Sequence, residues 1–407
     1  MKEVFDFKNQ ISSVVNSRFS TEELSFGSLR NGLFKAYKKC EGKKIEIVTA
    51  EKEFKKQGQF VVQTLKSFGA EVTVLTVEDK SVSVSAIKSA LSLDVGVCFA
   101  VGDSNLLSVV RYASSLYNIP CYAVLTSPLM EDLLSEKACV VSDGTFEFFT
   151  ADKFEKVFID EDFILKSKSE NFAEAYASSA SKLTALIDYK MGCFLSGTAI
   201  SEELFTAVQK AVSIALSYPL YENGKSAILA SQVILACINA LSGEFAGLGA
   251  QGVKLALGVY ASEAKGCKKS IMAFEKTLKL YHMFFTNDFS TLLSAPDYLS
   301  EVETLSSDFK KDSESFYSNL KIPSEKRRRL ILLLLEKTAD SFIAETSAIL
   351  KAFGKIKKAY SSLIGVAGDG NISYKQIKNS VVASPYLTDK TTVYTIMRDL
   401  GVLACAN

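Results

Sequence analysis

The first 160 residues alternate between short apolar runs and longer amphipathic stretches. Four runs rich in apolar and β-branched residues predict strands, at residues 44–49, 71–77, 95–101 and 121–125. The stretches between them carry apolar residues near helical spacing and predict helices, at 54–68, 81–93 and 106–117. The run at 95–101 has no polar side chain, which indicates a strand buried on both faces. This alternation predicts a parallel, Rossmann-like sheet covered by helices, with ligands at the carboxyl ends of its strands.

The pattern changes at about residue 165, beyond which strand signals almost vanish. Amphipathic stretches predict helices at 173–190, 202–217, 225–241, 249–264, 270–284, within 307–360 and at 391–400. Ser, Gly and Asn residues mark the breaks, as in segment 365–370. We therefore predict an α/β domain over residues 1–160 and an all-α domain over residues 161–407, with the functional site in a cleft between them.

Composition and charge narrow the class of protein. The chain has 407 residues, of which 48% are hydrophobic, and its formal net charge is +1. A chain so close to neutral has no strong field to attract nucleic acid. The one dense basic cluster, Lys326–Arg329, precedes an apolar run, which is typical of the solvated first turn of a helix. We expect no nucleic-acid partner.

The N-terminus, the apolar runs and the cysteines bear on the location of the protein. Residues 1–10, MKEVFDFKNQ, lack the apolar core of a signal peptide. No uninterrupted apolar run reaches the roughly 18 residues that a spanning helix needs. The eight cysteines form no CxxC pair, which is typical of buried free thiols in a reducing compartment. The sequence therefore predicts a soluble, cytoplasmic protein with no membrane partner.

Several segments, in this order, carry a resemblance to a known family. Residues 43–72 are similar to the family's opening strand–helix–strand, the likeness continues through 101–135 and 158–160, and residues 384–403 resemble its C-terminal helix. The chain resembles the superfamily of iron-containing alcohol dehydrogenases, glycerol dehydrogenases and dehydroquinate synthases, and within it the sn-glycerol-1-phosphate dehydrogenases. The resemblance implies a dehydroquinate synthase-like fold, in which a nucleotide-binding α/β domain precedes a helical domain that holds a catalytic divalent metal.

The resemblance implies a nucleotide site in VGDSNLLSVVR, where the family has a Gly-Gly-Gly-Ser turn. Gly102 matches the first glycine, whereas Asp103, Ser104 and Asn105 replace the residues that follow. The family's glycines let backbone N–H groups approach the cofactor diphosphate at a helix N-terminus. Asp103 adds a negative charge there, and two such charges repel by about 4 kcal/mol at about 4 Å and an effective dielectric of about 20. We expect weak NAD(P) binding or none; alternatively, the turn is an ordinary one in which Asp103 or Ser104 caps the helix.

The following helix and a second loop belong to the same implied site. Ser108 and Arg111 replace the Asp and Lys that the family carries on the helix. The loop LTSPLMEDLLSEKA is similar to a family loop that faces the cofactor, and it keeps four of the family's polar residues, Thr126, Ser127, Asp132 and Ser135. The resemblance implies that Thr126 and Ser127 lie at the cofactor-binding position.

The resemblance also implies a metal site made of one carboxylate and two histidines. The family's carboxylate is the Asp of a Gly-Asp pair that precedes a Lys-x-x-Ala-x-x-Asp-Trp pattern. Four residues match the later pattern, namely Lys182, Ala185, Asp188 and Tyr189. Counting back from them places Ser178 at the carboxylate position. A serine hydroxyl is a poor ligand for a divalent ion and brings no charge.

The chain has a single histidine, His282, so the two histidine ligands cannot both be present. In one alignment Phe245 and Gln251 occupy the two histidine positions. In another, the first motif lies over residues 231–235. Neither alignment recovers a histidine, and we expect His282 to be a packed helix residue rather than a ligand.

Replacement of all three ligands together indicates a lost metal site. An empty site would leave a cavity or unpaired polar groups, so we expect it to be filled by side chains at or near the old ligand positions, namely Tyr189, Leu235 and Phe245. We therefore expect no metal and no NAD(P) cofactor.

Two hypotheses on function follow. The first is a degenerate glycerol-1-phosphate dehydrogenase-like protein, a pseudoenzyme without metal-dependent hydride transfer. It would bind an unknown small molecule, act in binding, regulation or assembly, and form a homodimer or a heteromer with an intact relative. The second is an active NAD(P)-dependent dehydrogenase or related enzyme that acts on a small polyol phosphate by metal-independent chemistry.

Overall fold

The structure is a computed structural model. It describes residues 2–15, 23–78, 87–88, 91–92, 94–130, 133–142, 145–242, 245, 248–249, 269–287, 303, 323–364, 374–386, 390–400 and 402. Contacts divide the chain into two compact units, and the first consists of Met1–Ala175 and Ser217–Gly243. The second consists of Tyr176–Leu216 and Glu244–Asn407. The domain boundary expected at residue 160 stays a prediction, because a division by contacts need not coincide with a domain.

The first unit is built around a six-stranded sheet in which all neighbouring strands are parallel. In spatial order the strands are β1 (Leu24–Phe26), β8 (Lys156–Ile159), β5 (Cys121–Leu125), β4 (Val97–Gly102), β2 (Ile45–Ala50) and β3 (Val72–Val77). All six strands therefore end at one edge, which we call the carboxyl edge. The chain runs from β2 to β3 and then returns past β2 to β4, so the order of strands reverses between β2 and β4. Ligands of open parallel sheets bind at such a reversal.

The helices up to residue 242 are short at first and become longer. In chain order they are α1 (Phe7–Ser12), α2 (Leu29–Lys39), α3 (Glu51–Glu53), a π-helical turn (Phe54–Gly58), α4 (Gln59–Ser67), α5 (Ser104–Leu116), α6 (Glu161–Ile164), α7 (Ser169–Ser196), α8 (Glu202–Leu216) and α9 (Lys225–Ser242). The residues of α7 up to Ala175 and all of α9 belong to the first unit, whereas α8 belongs to the second.

The central strands are buried because nearly all their side chains are apolar. Every residue of β2 and β4 is buried. One face of the sheet forms a core with α2 and α4, in which the ring of Tyr122 stacks on Phe99 and Phe158 at centroid distances of 4.8 and 6.2 Å. Full burial of one such apolar side chain contributes roughly 1.5–3 kcal/mol. This core fixes the carboxyl edge on which the candidate site is built.

The structure confirms the predicted fold class and the four strands expected from the sequence, each within two residues of its predicted ends. It also contains elements that the sequence did not predict. The unpredicted strands are β1, β8 and an antiparallel hairpin made of β6 (Lys137–Ser142) and β7 (Thr145–Thr150), and the helices α1, α2 and α6 were not predicted either. Most of the helix expected at 81–93 lies outside the described residues.

The described secondary structure of the second unit is helical. Besides α8 and the later part of α7, it contains α10 (Lys269–Thr286), α11 (Glu325–Ile364), α12 (Tyr374–Ala383) and α13 (Val393–Asp399). No strand occurs among the described residues of this unit, as the sequence predicts. The helix expected at 249–264, the break at 365–370 and most of 307–324 lie outside the described residues.

Among the helices that the structure describes, one, α9, is long and apolar enough to cross a membrane by length and composition alone, and 78% of it is buried inside the fold. The polar residues Ser226, Ser231 and Gln232 interrupt its apolar sequence and are themselves buried. Helices that are apolar on all sides are found in the cores of large proteins as well as in membranes. The burial of α9 is that of a core helix.

Candidate functional site

A cavity of about 1640 Å³ opens at the carboxyl edge of the sheet, and we call it the edge cavity. All of its lining residues belong to the first unit. They include residues that directly follow five strands, β1, β2, β4, β5 and β8. The strand order reverses between two of these, β2 and β4. The location is the one that parallel-sheet topology predicts for a ligand.

The turn after β4 places Asp103 at the N-terminus of α5. Its carboxylate accepts a hydrogen bond from the backbone N–H of Leu106 at 3.0 Å, so Asp103 is the N-cap. This confirms the expectation of an ordinary capped turn. Ser104 begins the helix, and Asn105 is exposed and lines the edge cavity.

The space above Gly102 is already filled. A side chain added at this glycine would meet Cδ2 and Cβ of Leu106, and its Cβ would lie 3.2 Å from Oε2 of Glu53. Dinucleotide sites use glycine at such turns so that the cofactor diphosphate can approach the backbone. At Gly102, the direction that a side chain would take is filled by Leu106 and Glu53.

Glu53 is a feature of the site that the sequence did not single out. Its Oε2 accepts a hydrogen bond from Oγ1 of Thr126 at 3.0 Å. Thr126 directly follows β5 and is buried, as is Ser127. Glu53 thus lies across the ends of β4 and β5, at the edge cavity that Thr126 also lines.

The segment that carries Glu53 toward the cavity departs from a regular helix. The prediction of one helix over 54–68 is wrong at its start, because Phe54–Gly58 forms a π-helical turn before α4. Gly58 allows this packing, since a Cβ there would lie 3.0 Å from the Phe54 ring and 3.3 Å from Thr49. Single π-helical turns inside helices occur frequently at functional sites.

Asp160 holds two helices at the edge cavity. Its Oδ2 accepts from the N–H of Leu29 at 2.7 Å, at the start of α2, and its Oδ1 accepts from the N–H of Phe163 at 3.2 Å, in α6. A carboxylate at a helix N-terminus is stabilised by the helix dipole. The Asp160 carboxylate therefore accepts one backbone N–H hydrogen bond at the start of each of two helices, α2 and α6.

Arg111 tethers the second loop to α5. Its Nη1 donates to the carbonyl oxygens of Leu133 at 3.1 Å and Ser135 at 2.8 Å, and its guanidinium lies 5.3 Å from the centre of the Phe154 ring. The side chain is buried. Arg111 is therefore a structural residue here, whereas Asp132 lies outside the described residues.

The residues at the implied metal-ligand positions are buried and carry few donor atoms. Ser178 is 6% exposed on α7. Phe245 is fully buried, and its ring packs on Tyr189 with centroids 4.8 Å apart. Tyr189 lies eleven residues beyond Ser178, which is about 16 Å along a helix. Gln251 lies outside the described residues.

The alternative alignment over residues 231–235 also ends on a buried hydrocarbon side chain. Leu235 is 1% exposed. Three residues earlier, Gln232 is fully buried; its Nε2 donates to the carbonyl oxygen of Ala175 at 3.1 Å, and its Oε1 accepts from the N–H of Met130 at 3.5 Å. This packing is that of a structural glutamine in the core of the first unit.

Asp188, in the later part of α7, is a buried carboxylate with three hydrogen-bond donors. Its oxygens accept from the backbone N–H groups of Gly249 at 2.6 Å and Val393 at 2.8 Å, and from the hydroxyl of Tyr281 at 3.0 Å. Burial raises the pKa of Asp188 to about 7, although these three hydrogen bonds act to lower it. The group joins α7, α10 and the start of α13 within the second unit.

The side chains described at the implied ligand positions, Ser178 and Phe245 or Leu235, do not fit a catalytic divalent metal. Among the residues that the structure describes, no three His, Cys, Asp or Glu side chains are grouped so that they could hold an ion. His282 lies on α10, with Nδ1 2.9 Å from Oγ1 of Thr346. The turn at Gly102 and Asp103 differs from a glycine-rich turn, because the carboxylate of Asp103 holds the N–H of Leu106 and a Cβ at Gly102 would meet Leu106 and Glu53.

Comparison with known proteins places the fold. No family model matches the chain. It is similar to a glycerol-1-phosphate dehydrogenase [NAD(P)+] of Halalkalibacterium halodurans, with 23% identity over 184 residues, which is 43% of this chain and 46% of that relative. The match therefore spans about half of the curated relative's length.

Solved structures match over nearly the whole chain. An alcohol dehydrogenase from an archaeal halo-thermophilic source in a Red Sea brine pool matches with a TM-score of 0.59 at 10% identity, over 95% of this chain and 97% of that one. An iron-containing alcohol dehydrogenase of Thermotoga maritima gives 0.55 at 11% identity, over 93% and 98%. Glycerol dehydrogenase of Schizosaccharomyces pombe gives 0.50 at 12% identity, over 85% and 92%.

The chain has the fold of the iron-containing alcohol dehydrogenases and glycerol dehydrogenases, as the sequence resemblance implies. Over the 184 matched residues, its sequence is similar to that of a glycerol-1-phosphate dehydrogenase.

Proposed function

We propose that this protein is a degenerate glycerol-1-phosphate dehydrogenase-like protein that binds a small molecule in the edge cavity without metal-dependent hydride transfer. It serves in binding, regulation or assembly. The fold is that of a dehydrogenase, but the chemistry at the implied ligand positions is that of a packed core. It is a soluble, cytoplasmic pseudoenzyme with no nucleic-acid or membrane partner, and it forms a homodimer or a heteromer with an intact relative.

One observation carries this proposal. Whichever alignment is used, the first histidine position is taken by a buried hydrocarbon side chain, either Phe245 at 0% or Leu235 at 1% exposure. Neither side chain has an atom that can ligate a metal. The hydroxyl of Ser178 at the carboxylate position supplies no charge, which supports the same conclusion.

The second candidate is an NAD(P)-dependent dehydrogenase or related enzyme that acts on a small polyol phosphate without a metal. It is supported by the similarity to a protein named glycerol-1-phosphate dehydrogenase [NAD(P)+] and by the size of the edge cavity. The two candidates differ in dinucleotide affinity and in turnover. A purified sample that oxidises or reduces NAD(P) with a polyol phosphate in the presence of a chelator would favour the second.

We expect the purified protein to hold far less than one equivalent of zinc, iron or nickel per chain. The reason is that Ser178 and Phe245 or Leu235 replace two of the three implied ligands. Elemental analysis of protein prepared without chelators measures this, with an iron-containing alcohol dehydrogenase prepared in parallel as the control. One tightly held equivalent per chain would contradict the proposal.

We expect NAD(P) to bind weakly or not at all, because the carboxylate of Asp103 lies at the helix N-terminus that would meet the diphosphate. Titration calorimetry on the wild type and on Asp103→Gly is the measurement. The glycine variant should bind NAD(P) more tightly than the wild type, since about 4 kcal/mol of repulsion is removed in the limiting case. Micromolar affinity in the wild type would show that the turn tolerates the aspartate.

A further inference from the structure

Backbone groups that would hold an anion at the edge cavity are already bound by the chain's own carboxylates. Asp103 accepts from the N–H of Leu106 at the start of α5. Asp160 accepts from the N–H groups of Leu29 in α2 and Phe163 in α6. Because these amides are satisfied, a phosphate would have to displace a carboxylate to reach them.

The carboxylate of Glu53 adds acceptor oxygen atoms to the floor of the cavity. It is held by the hydroxyl of Thr126 and lies over Gly102, so it spans the ends of two adjacent strands. A carboxylate in this place attracts hydrogen-bond donors such as a hydroxyl or an ammonium group. It repels phosphate oxygen atoms, which carry charge of the same sign.

Aromatic side chains supply a surface for a flat ring in the same lining. Phe26 is 41% exposed and Phe60 is 40% exposed. Each is backed by another ring, since Phe7 lies 6.4 Å from Phe26 and Phe163 lies 5.8 Å from Phe60, measured between centroids. Exposed rings held by a second ring offer stacking area without much loss of side-chain freedom.

The charges around the whole cavity give no general preference for an anion. Five lysines line it, namely Lys8, Lys52, Lys55, Lys166 and Lys168. Six carboxylates line it as well, namely Glu51, Glu53, Asp103, Asp160, Glu161 and Asp162. All five lysines are exposed, so their charges are screened by solvent. The preference for a hydroxyl or ammonium group over a phosphate therefore depends on Glu53, at the ends of β4 and β5.

We propose that the edge cavity binds a ring compound that carries hydroxyl or ammonium donors and rejects the same compound when it carries a diphosphate, with Glu53 as the residue that discriminates. The ring lies against Phe26 or Phe60, and the donors meet Glu53. Nucleosides and aromatic amines share this chemistry. This ligand class rests on the proposed function, in which the edge cavity is a binding site without hydride transfer.

Titration calorimetry with three probes tests the ligand class on the full-length protein. Adenosine supplies a ring and a diol, tyramine supplies a ring and an ammonium group, and ADP adds a diphosphate to adenosine. We expect adenosine to bind at least about tenfold more tightly than ADP. Tighter binding of adenosine indicates a polyol as the ligand class, and tighter binding of tyramine indicates an amine. Binding of ADP as tight as that of adenosine, or no binding of either adenosine or tyramine, overturns the proposal.

Variants of neighbouring glutamates assign the discrimination to Glu53. Glu53→Gln keeps the size of the side chain and removes its charge, so the adenosine-to-ADP affinity ratio should fall about tenfold toward unity. Glu51→Gln is the matched control, because Glu51 is exposed, lies on the same helix α3 and lines the same cavity. An equal fall in both variants would show a general charge effect and contradict a specific role. Thr126→Val removes the hydroxyl that holds Glu53 and should lower the ratio in the same direction if Glu53→Gln does not fold.

Failure of this ligand class and failure of the proposed function give different results. If adenosine and tyramine do not bind but the protein holds no metal and transfers no hydride, only the ligand class is wrong. If the protein holds a metal and transfers hydride with NAD(P), the proposed function is wrong as well.

Discussion

Replacing Asp188 with alanine is expected to lower the free energy of unfolding by at least about 3 kcal/mol. The carboxylate is fully buried and accepts from Gly249, Val393 and Tyr281. Without it, two backbone N–H groups and one hydroxyl are left buried without an acceptor, and each such loss costs about 1–3 kcal/mol. Urea unfolding followed by circular dichroism measures the change.

Two milder variants grade this effect. Tyr281→Phe removes one of the three donors and should cost about 1 kcal/mol. Asp188→Asn keeps one acceptor oxygen but turns an amide toward a donor, so its cost should fall between those of the other two variants. A loss below that of Tyr281→Phe in the alanine variant would show that water replaces the carboxylate.

The same group should make stability depend on pH. Burial raises the pKa of Asp188 to about 7 in the folded protein, whereas an aspartate in the unfolded chain has a pKa of about 3.9. The folded state therefore binds more protons between these two values, and the stability due to this group is full below about pH 4 and is lost as pH rises through about 7. The difference in stability between the wild type and Asp188→Asn should shrink over that interval. A difference that is constant, or that grows with pH, would contradict the raised pKa.

Replacing Asp399 with alanine should be about as damaging, at about 3–5 kcal/mol. Its Oδ1 accepts from Nε and Nη2 of Arg398 at 3.2 and 2.9 Å, and both residues are buried. Its Oδ2 is 3.4 Å from Nε of Arg327. Removing the carboxylate leaves the guanidinium of Arg398 buried without its counter-charge, which is costly in a medium of low dielectric.

An exposed ion pair at the start of α11 is the matched control for Asp399→Ala. Glu325 pairs with Arg329 at 2.5 Å, and both side chains are about two-thirds exposed. Glu325→Ala should change the free energy of unfolding by no more than about 0.5 kcal/mol, because exposed pairs are screened by water and salt. Equal losses from the two variants in urea unfolding would argue against a special role for burial.

Sequence periodicity predicted the central strands well because they are buried on both faces and therefore uniformly apolar. The two strands beyond β5 in the sheet, β8 and β1, gave weaker signals. β1 has only three residues, none of them buried, and its middle residue is the polar Ser25. β8 is short and begins with Lys156. Their parallel pairing, as between Ser25 and Phe158, joins residues more than 130 positions apart, and no local pattern reports such a partner.

Some residues of the edge cavity could be predicted from the sequence and others could not. Asp103 was identified because capping acts between neighbours in the chain, and the structure confirms the cap. Glu53 was missed because it stands in the charged segment EKE, which is typical of a solvated helix start. Its partner, Thr126, lies 73 residues away. The π-helical turn was missed as well, because apolar spacing does not distinguish a single π turn from an α-helix.

At the implied metal positions, the resemblance predicted which residues replace the ligands but not how the buried polar groups are paired. It identified Ser178 and two candidate replacements for the first histidine, Phe245 and Leu235. It gave Asp188 no role, although this residue matched the family pattern. The three donors of Asp188 come from residues 249, 281 and 393, and only the folded chain brings them together.

The composition of the first unit has a consequence for synthesis on the ribosome. The unit needs α9, and near the N-terminus Phe5 exchanges hydrogen bonds with Asn223, at 2.6 Å and 3.1 Å. A ribosome adds about 5–20 residues per second, so Phe5 waits roughly 10–40 s for its partner to be made. During that interval the nascent unit lacks α9, and the apolar surface that α9 buries stays exposed. Chaperone demand during translation should therefore be greatest before residue 243 leaves the ribosome.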